Sequence, residues 1–476
     1  MRSHLTGYFS MSRLTTETFE KRTRFAAPAD TVFDWHLRDG AFERLNPPFE
    51  PARIVARSGG IADGGRVELQ VPVGPFRQSW ISEHRGYVPG VQFQDVQIRG
   101  PFASCVHTHR VEADGPHACY LDDKLEYRLP FGPLGTLGKA FVTSKLQRMF
   151  DYRHRLMAAD IAAHQNVPAG VTSMKILVVG ATGLVGSALV PLLTTGGHTV
   201  HKLSRSNSQS DSKTIVWDPS AGKIPVNELE GFDAVIHLAG EGIATRRWTA
   251  AQKARIRDSR VGGTSLLAGA LAKLNQKPKH FLCASAIGYY GNRGDEVCTE
   301  TSAPGTDFLA DVCQAWEKAM QPAVDAGIRV VNMRIGVVMS PQGGALKKML
   351  TPFKLGVGGV LGNGKQYMSC ITIDDVVGGI YHCLTHEELT GPVNLVDPYS
   401  VTNRDFTKTL GRILQRPTIF PAPAFVLRLA VGEMADALLL SSTRVVPNRL
   451  LSSGYQFRFP DLESGLKHVL GLKLAR

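Results

Sequence analysis

This chain of 476 residues has no CxxC pair, no long apolar run and no block of basic residues, and each absence excludes a class of function. Its seven cysteines, Cys105, Cys119, Cys283, Cys298, Cys313, Cys370 and Cys383, are odd in number and scattered, which argues against a disulfide framework or a zinc site and suits a reducing compartment. No apolar run approaches the ~20 residues that a membrane span needs. The opening stretch MRSHLTGYFSMSRLTTETFEKRTRF lacks the apolar segment and the small-residue cleavage site of a secretory signal. It reads as an N-terminal extension, residues 1–15, of a cytoplasmic chain, with Met11 as an alternative start. The net charge of +12 is dispersed, and its densest cluster, Thr245 to Arg260, lies in the enzyme-like half. An anionic cofactor and a solvated surface account for that excess, so no nucleic-acid partner is expected.

What is present divides at AAHQNVPAGVTS, Ala162 to Ser173, where a helical pattern gives way to polar, Pro- and Gly-containing sequence ahead of a buried strand. Before it, TFEKRTRF is a strand and PADTVFDWHLRD a short helix. GGRVELQVPV, RQSWISEHRGYVP, GVQFQDVQIRG, ASCVHTHRVEADG and ACYLDDKLEYRLPFG then alternate apolar and polar residues, as an antiparallel sheet requires. The run LGKAFVTSKLQRMFDYRHRLMAADIAAH spaces Leu146, Phe150, Leu156, Met157 and Ile161 near helical periodicity. This order of elements, with the phrases FAAPADTVFDWH and LEYRLPFGPLG, resembles the START-like or helix-grip superfamily, which includes polyketide cyclases and coenzyme Q-binding proteins. The resemblance implies an α+β domain over residues 16–165 that encloses an apolar ligand.

Three features of this half invite a functional reading. His107 and His109 share a strand face, but no third ligand stands at suitable spacing, so they read as surface or core histidines and no metal site is expected. Trp35 and Trp80 suit a ligand cavity or plain packing equally well. Asp122 and Asp123 are adjacent, hence on opposite faces, and read as a solvated turn or edge rather than a catalytic pair.

After a linker at 166–173, the stretch KILVVGATGLVGSALVPLLTTGGHTVHKLSRS runs strand, glycines, helix, strand. In that βαβ setting Gly180 permits the tight turn, Gly186 permits close packing of helix on strand, and the backbone of Thr182, Gly183, Leu184 and Val185 meets a pyrophosphate at the helix N-terminus. The second strand ends in Ser204 and Arg205, with no carboxylate for the ribose hydroxyls, which favours NADP(H) over NAD(H). Ala239 and Gly240 in FDAVIHLAGEGI let backbone lie beside the cofactor, with Glu241 as a loop hydrogen-bond partner. KHFLCASAIGYYG and RVVNMRIGVVMS supply further strands, and alternation with helices makes a doubly wound parallel sheet.

The phrases GATGLVGSAL, HLAGEGI, RWTAAQKARIRDSRVGGTSLL, SAIGYYG, FLADVCQAWE, GGALKKML and GPVNLVDPYSVTNRDF resemble the extended short-chain dehydrogenase/reductases, and within them the atypical epimerase-family branch. The resemblance implies a Rossmann-type α/β domain over 174–420 and a small C-terminal domain over 421–476. It also implies a Tyr and Lys spaced YxxxK, and these are absent: alignment on Glu317 puts Leu309 and Cys313 in their places. The usual Asn is replaced by Arg260, counted here with the cofactor residues, while a Ser survives as Ser285. Tyr289 and Tyr290, on the loop after a strand's C-terminal end, are the substitutes available for proton transfer. The expectation is hydride transfer to or from a small carbonyl or alcohol by an NADP(H)-dependent epimerase or reductase fused to a START-like module. The alternative is a non-catalytic NADPH-dependent sensor or scaffold.

Overall fold

The structure, a computed structural model, describes residues 16–74, 76–130, 135, 137–206 and 212–474. The N-terminal extension and Met11 lie outside the described residues. Contacts divide the chain into a first unit, residues 16–37 and 45–161, and a second, residues 38–44 and 162–474.

In the first unit the strands are β1 (Glu17–Phe25), β2 (Arg53–Ser58), β3 (Arg66–Val73), β4 (Phe76–Val88), β5 (Gln92–Arg99), β6 (Ser104–Ala113) and β7 (Cys119–Arg128). They form one antiparallel sheet in the order β1-β7-β6-β5-β4-β3-β2. The edge strand β2 escaped the sequence reading because its side chains are mostly exposed, leaving no alternation to detect. Helix α1 (Ala29–Leu37) follows β1, and the long α3 (Lys139–Gln165) closes the unit. On β7 the residues at 119, 121, 123, 125 and 127 are buried and those between are not, the period-2 signature of one covered face. Phe19, Cys105, Leu125 and Tyr127 of the sheet pack with Leu146 and Phe150 of α3. Trp35 is fully buried, and Trp80 packs edge-on to Phe102 at 5.8 Å, so both serve the core.

In the second unit a short α2 (Ala41–Arg44) precedes β8 (Lys175–Val179), α4 (Leu184–Thr195), β9 (Thr199–Ser204), β10 (Thr214–Val216) and β11 (Ala234–His237). There follow α5 (Ala250–Ala272), β12 (His280–Ala286), β13 (Val297–Cys298), α6 (Phe308–Lys318), α7 (Gln321–Asp325), β14 (Arg329–Ile335) and β15 (Val337–Met339). Next come α8 (Gly344–Lys354), β16 (Tyr367–Met368), β17 (Cys370–Thr372), α9 (Ile373–Thr385) and β18 (Gly391–Leu395). The chain ends with β19 (Val401–Thr402), α10 (Asn403–Leu414), α11 (Ala424–Val431), β20 (Arg444–Val445), α12 (Asn448–Ser452) and α13 (Leu462–Val469).

The main sheet is parallel throughout, ordered β10-β9-β8-β11-β12-β14-β18, and the chain reverses direction of growth between β8 and β11. Open sheets of this kind bind ligands at that switch point. Helix α5 starts at Ala250, where Thr249 caps it by accepting from the Gln252 amide. Residues 308–325 form two helices, α6 and α7, broken after Lys318 where Pro322 opens α7. Asp374 and Asp375 are buried first-turn carboxylates of α9, and Thr372 is its cap. No described helix is long and apolar enough to cross a membrane.

Candidate functional site

The turn between β8 and α4 is built by its glycines. Gly180 has φ of +83°, a conformation other residues rarely adopt, and a Cβ there would meet the Ala239 amide nitrogen at 2.8 Å. At Gly186 a Cβ would stand 2.2 Å from the Gly180 carbonyl oxygen, so helix and strand approach this closely only with glycine. Thr182 and Gly183 are exposed at the mouth of the turn, and Gly183 caps α4 without a side chain. The first amides of α4, from Leu184, Val185 and Gly186, therefore have no intrahelical carbonyl and point their partial positive charge outward.

The other residues expected at a dinucleotide gather round this turn. Ala239 lies against Gly180; the Glu241 amide donates to Ser259 Oγ at 3.0 Å, and Arg260 Nη1 donates to the Glu241 carbonyl at 2.9 Å. Arg260 thus braces the Gly240–Glu241 loop from α5, its Cζ 3.2 Å from where a Gly240 Cβ would be. Beyond β9, Ser204 is half-buried while Arg205 and Ser206 are exposed and border a cleft of about 1250 Å³. Trp217, Lys223 and Lys273 also line it. Sequence reading missed Lys223 and Lys273; DPSAGK signals a turn, but nothing local says that the turn folds back beside Arg205.

The residues expected to move protons fare differently. Tyr290 is fully buried, its hydroxyl donating to Asn394 Oδ1 at 2.6 Å and accepting from Arg334 Nη1 at 3.1 Å, and burial pushes its pKa up to about 12. That removes Tyr290 from the catalytic set: it has no exposed surface on which to meet a substrate. Ser285 is 3% exposed and donates to Glu317 Oε1 at 2.7 Å, which commits its hydroxyl to a structural bond. Glu317 in turn takes a two-pronged grip from Arg334, 2.8 Å from Nε and 2.9 Å from Nη2. The network Ser285–Glu317–Arg334–Tyr290–Asn394 pins β12, α6, β14 and β18 together, and Arg334 is its hub.

Tyr289 remains. It is half-buried, the Arg334 guanidinium lies 3.4 Å from its ring centroid, and its hydroxyl has no hydrogen-bond partner among the described residues. The turn that carries it packs on α6: a Cβ on Gly288 would touch Leu309 Cβ at 3.3 Å and Cys313 Sγ at 3.8 Å. Those two positions are where the Tyr and Lys of YxxxK were expected. Burial pushes the Cys313 thiol up to about 12, so at neutral pH it stays an uncharged thiol.

In the first unit, His107 and His109 are neither surface residues nor ordinary core. A third donor does exist: Asp95, opposite His107 across β5 and β6. Asp123, expected on a turn or edge, is buried in the middle of β7, opposite His109. Its neighbour Asp122 points the other way and pairs with Arg22 at 2.5 Å. Burial works against charge on His109, but Asp123 and Asp95 raise its pKa to about 9.

The comparisons with known proteins follow the same division. The family profile described as NAD dependent epimerase/dehydratase matches residues 176–395, that for polyketide cyclase/dehydrase and lipid transport matches 25–151, and a domain of unknown function matches 422–469. An epimerase family protein of Mycobacterium bovis is 42% identical over 294 residues, 62% of this chain and 97% of the relative. The crystal structure of a nucleoside-diphosphate sugar epimerase from Corynebacterium glutamicum aligns with a TM-score of 0.79 at 33% identity, covering 95% of this chain and 90% of that one. The structure of human epimerase family protein SDR39U1 with NADPH aligns with a TM-score of 0.58 at 36% identity, covering 62% of this chain and 99% of that one.

Proposed function

The chain belongs to the epimerase family, and on that premise we propose that its second unit is an NADP(H)-dependent oxidoreductase acting on a small carbonyl or alcohol. The observation that carries the cofactor assignment is the glycine turn, which a Cβ at Gly186 would close. In this reading the first amides of α4 hold the pyrophosphate, and Arg205 with Lys223 neutralises a 2'-phosphate at the rim of the cleft. The NADPH in the human relative's structure supports the same choice. When bound, the cofactor supplies the hydride. Ala239 and Gly240 give backbone a close approach to it, and Arg260 keeps their loop in place.

Tyr289 is the group we assign to proton transfer. Its hydroxyl is uncommitted among the described residues, and the Arg334 guanidinium stacked on its ring holds the side chain in place. The test is NADPH oxidation over a panel of carbonyl compounds. Tyr289→Phe should lower turnover by about 100-fold or more, the scale of general acid/base assistance, without changing NADPH affinity. The engagement of Ser285 and Tyr290 favours a second reading, a sensor in which cofactor occupancy governs a partner contact. Tight NADPH binding with no turnover of any carbonyl would establish the sensor and refute the oxidoreductase.

To the START-like first unit we assign an apolar small molecule, which mass spectrometry of compounds that copurify with the chain would identify. The seven free, buried thiols accord with a reducing compartment, and we assign the protein to the cytoplasm.

A further inference from the structure

The covered face of an antiparallel sheet is normally apolar, yet in the first unit four neighbouring strands turn ionisable side chains onto it. His84 of β4 lies opposite Asp95 of β5, Asp95 opposite His107 of β6, and His109 of β6 opposite Asp123 of β7. We infer that Asp95, His107 and His109 form a binding site for a divalent transition-metal ion, held by Asp95 Oδ2, His107 Nδ1 and His109 Nε2.

The distances fit. Asp95 Oδ2 is 3.7 Å from His107 Nδ1 and 3.2 Å from His109 Nε2, and the three residues each offer a ligand atom within 4.8 Å of the other two. Donors bound 2.0–2.1 Å from one ion at tetrahedral angles stand about 3.4 Å apart, so small side-chain rotations complete the site.

The surroundings orient the rings for this role. The far nitrogens of both histidines face one oxygen of Asp123, His107 Nε2 at 2.9 Å and His109 Nδ1 at 2.6 Å. The other oxygen of Asp123 meets His154 Nε2 at 2.5 Å, and His154 Nδ1 is tied to Thr23 Oγ1 at 2.7 Å. Asp95 is itself held, with His84 Nδ1 2.8 Å from its second oxygen. A carboxylate behind each ligating imidazole, and a partner behind the ligating carboxylate, is the outer arrangement that fixes tautomer and aim in metal centres. Phe93 stacks on His109 at 4.3 Å and Phe150 stands edge-on to His107 at 5.3 Å, so neither ring is free to turn away.

Hydrogen bookkeeping carries the inference further than distance. His107 Nε2 is hydrogen-bonded to Asp123, and with its proton there His107 Nδ1 presents a lone pair to the Asp95 carboxylate. That contact is repulsive unless a cation lies between them or a ring takes a second proton. One divalent ion also offsets the charge of the half-buried Asp95 and the buried Asp123. Two imidazoles and one carboxylate are ligands for zinc or ferrous iron and leave coordination positions open. The Asp95 side chain is 28% exposed against 5% for Asp123, so solvent reaches the ion from the Asp95 side.

The test uses the full chain purified without a histidine tag, stripped with chelator and dialysed against Zn²⁺, Co²⁺ or, anaerobically, Fe²⁺. The expected result is about one ion per chain for at least one metal, with ligand-field colour for Co²⁺ and a raised melting temperature. Asp123→Asn should keep the stoichiometry but weaken affinity about 10- to 100-fold, as loss of an outer carboxylate does. The double variant His107→Gln/His109→Gln should bind none while keeping the far-UV circular dichroism of the parent. Less than about 0.1 ion per chain with all three metals would overturn the proposal and leave a proton on His109 to satisfy the cluster. Undiminished binding by the double variant would overturn it equally. The wild-type stoichiometry decides even where a variant does not fold.

Discussion

In the second unit the cofactor turn runs through consecutive residues, Gly180 to Gly186, whereas the polar cluster of the first unit draws on four strands and a helix between His84 and His154. The first is specified by local spacing: each glycine removes a Cβ that would strike backbone a few residues away or on the adjoining strand. The second exists only through strand register, which places Asp95 beside His107 and Asp123 beside His109. The difference extends to what each arrangement does without a ligand. The glycine turn is complete when empty, while the cluster confines two carboxylates and several imidazoles that need a cation or shared protons.

Variants at each place separate these two kinds of encoding. The largest effect belongs to Asp123→Ala, which strands three imidazoles that now face its carboxylate; about 3–5 kcal/mol of unfolding free energy should be lost, measured by urea denaturation. A loss under 1 kcal/mol would mean that the cluster is not a stabilising unit. Gly186→Val comes next, since its Cβ would overlap the Gly180 carbonyl; NADPH affinity should fall by at least 100-fold, about 2.7 kcal/mol, in a fluorescence titration. Arg205→Ala should weaken NADPH about 10-fold, roughly 1.4 kcal/mol, and leave NADH nearly unchanged. Smallest is Asp122→Ala, one residue from Asp123 on the other face and paired with a half-exposed Arg22, which should cost under about 1 kcal/mol.

The same contrast explains what was legible in the sequence. Both sheets, the long helix at 139–165 and the βαβ turn follow from periodicity and glycine spacing, because those patterns repeat within one element. The edge strand β2 did not show, since exposed strands carry no apolar alternation. Of the proposed proton donors, the sequence placed Tyr289 and Tyr290 on one turn but could not tell which faced inward; Asn394 and Arg334, more than forty residues away, decide that. The missing third ligand near His107 and His109 was a matter of looking along the chain. Asp95 lies on the preceding strand at a position that only the register of β5 against β6 reveals.

The claim on which most rests is that the glycine turn and Arg205 make the second unit an NADP(H) site. Titration of the purified full chain with NADPH and with NADH, followed by fluorescence, tests it most directly. The account predicts NADPH binding at least about 10-fold tighter than NADH, a gap of roughly 1.4 kcal/mol that the 2'-phosphate contacts supply. Equal affinities would contradict the cofactor choice, and binding of neither would contradict the site.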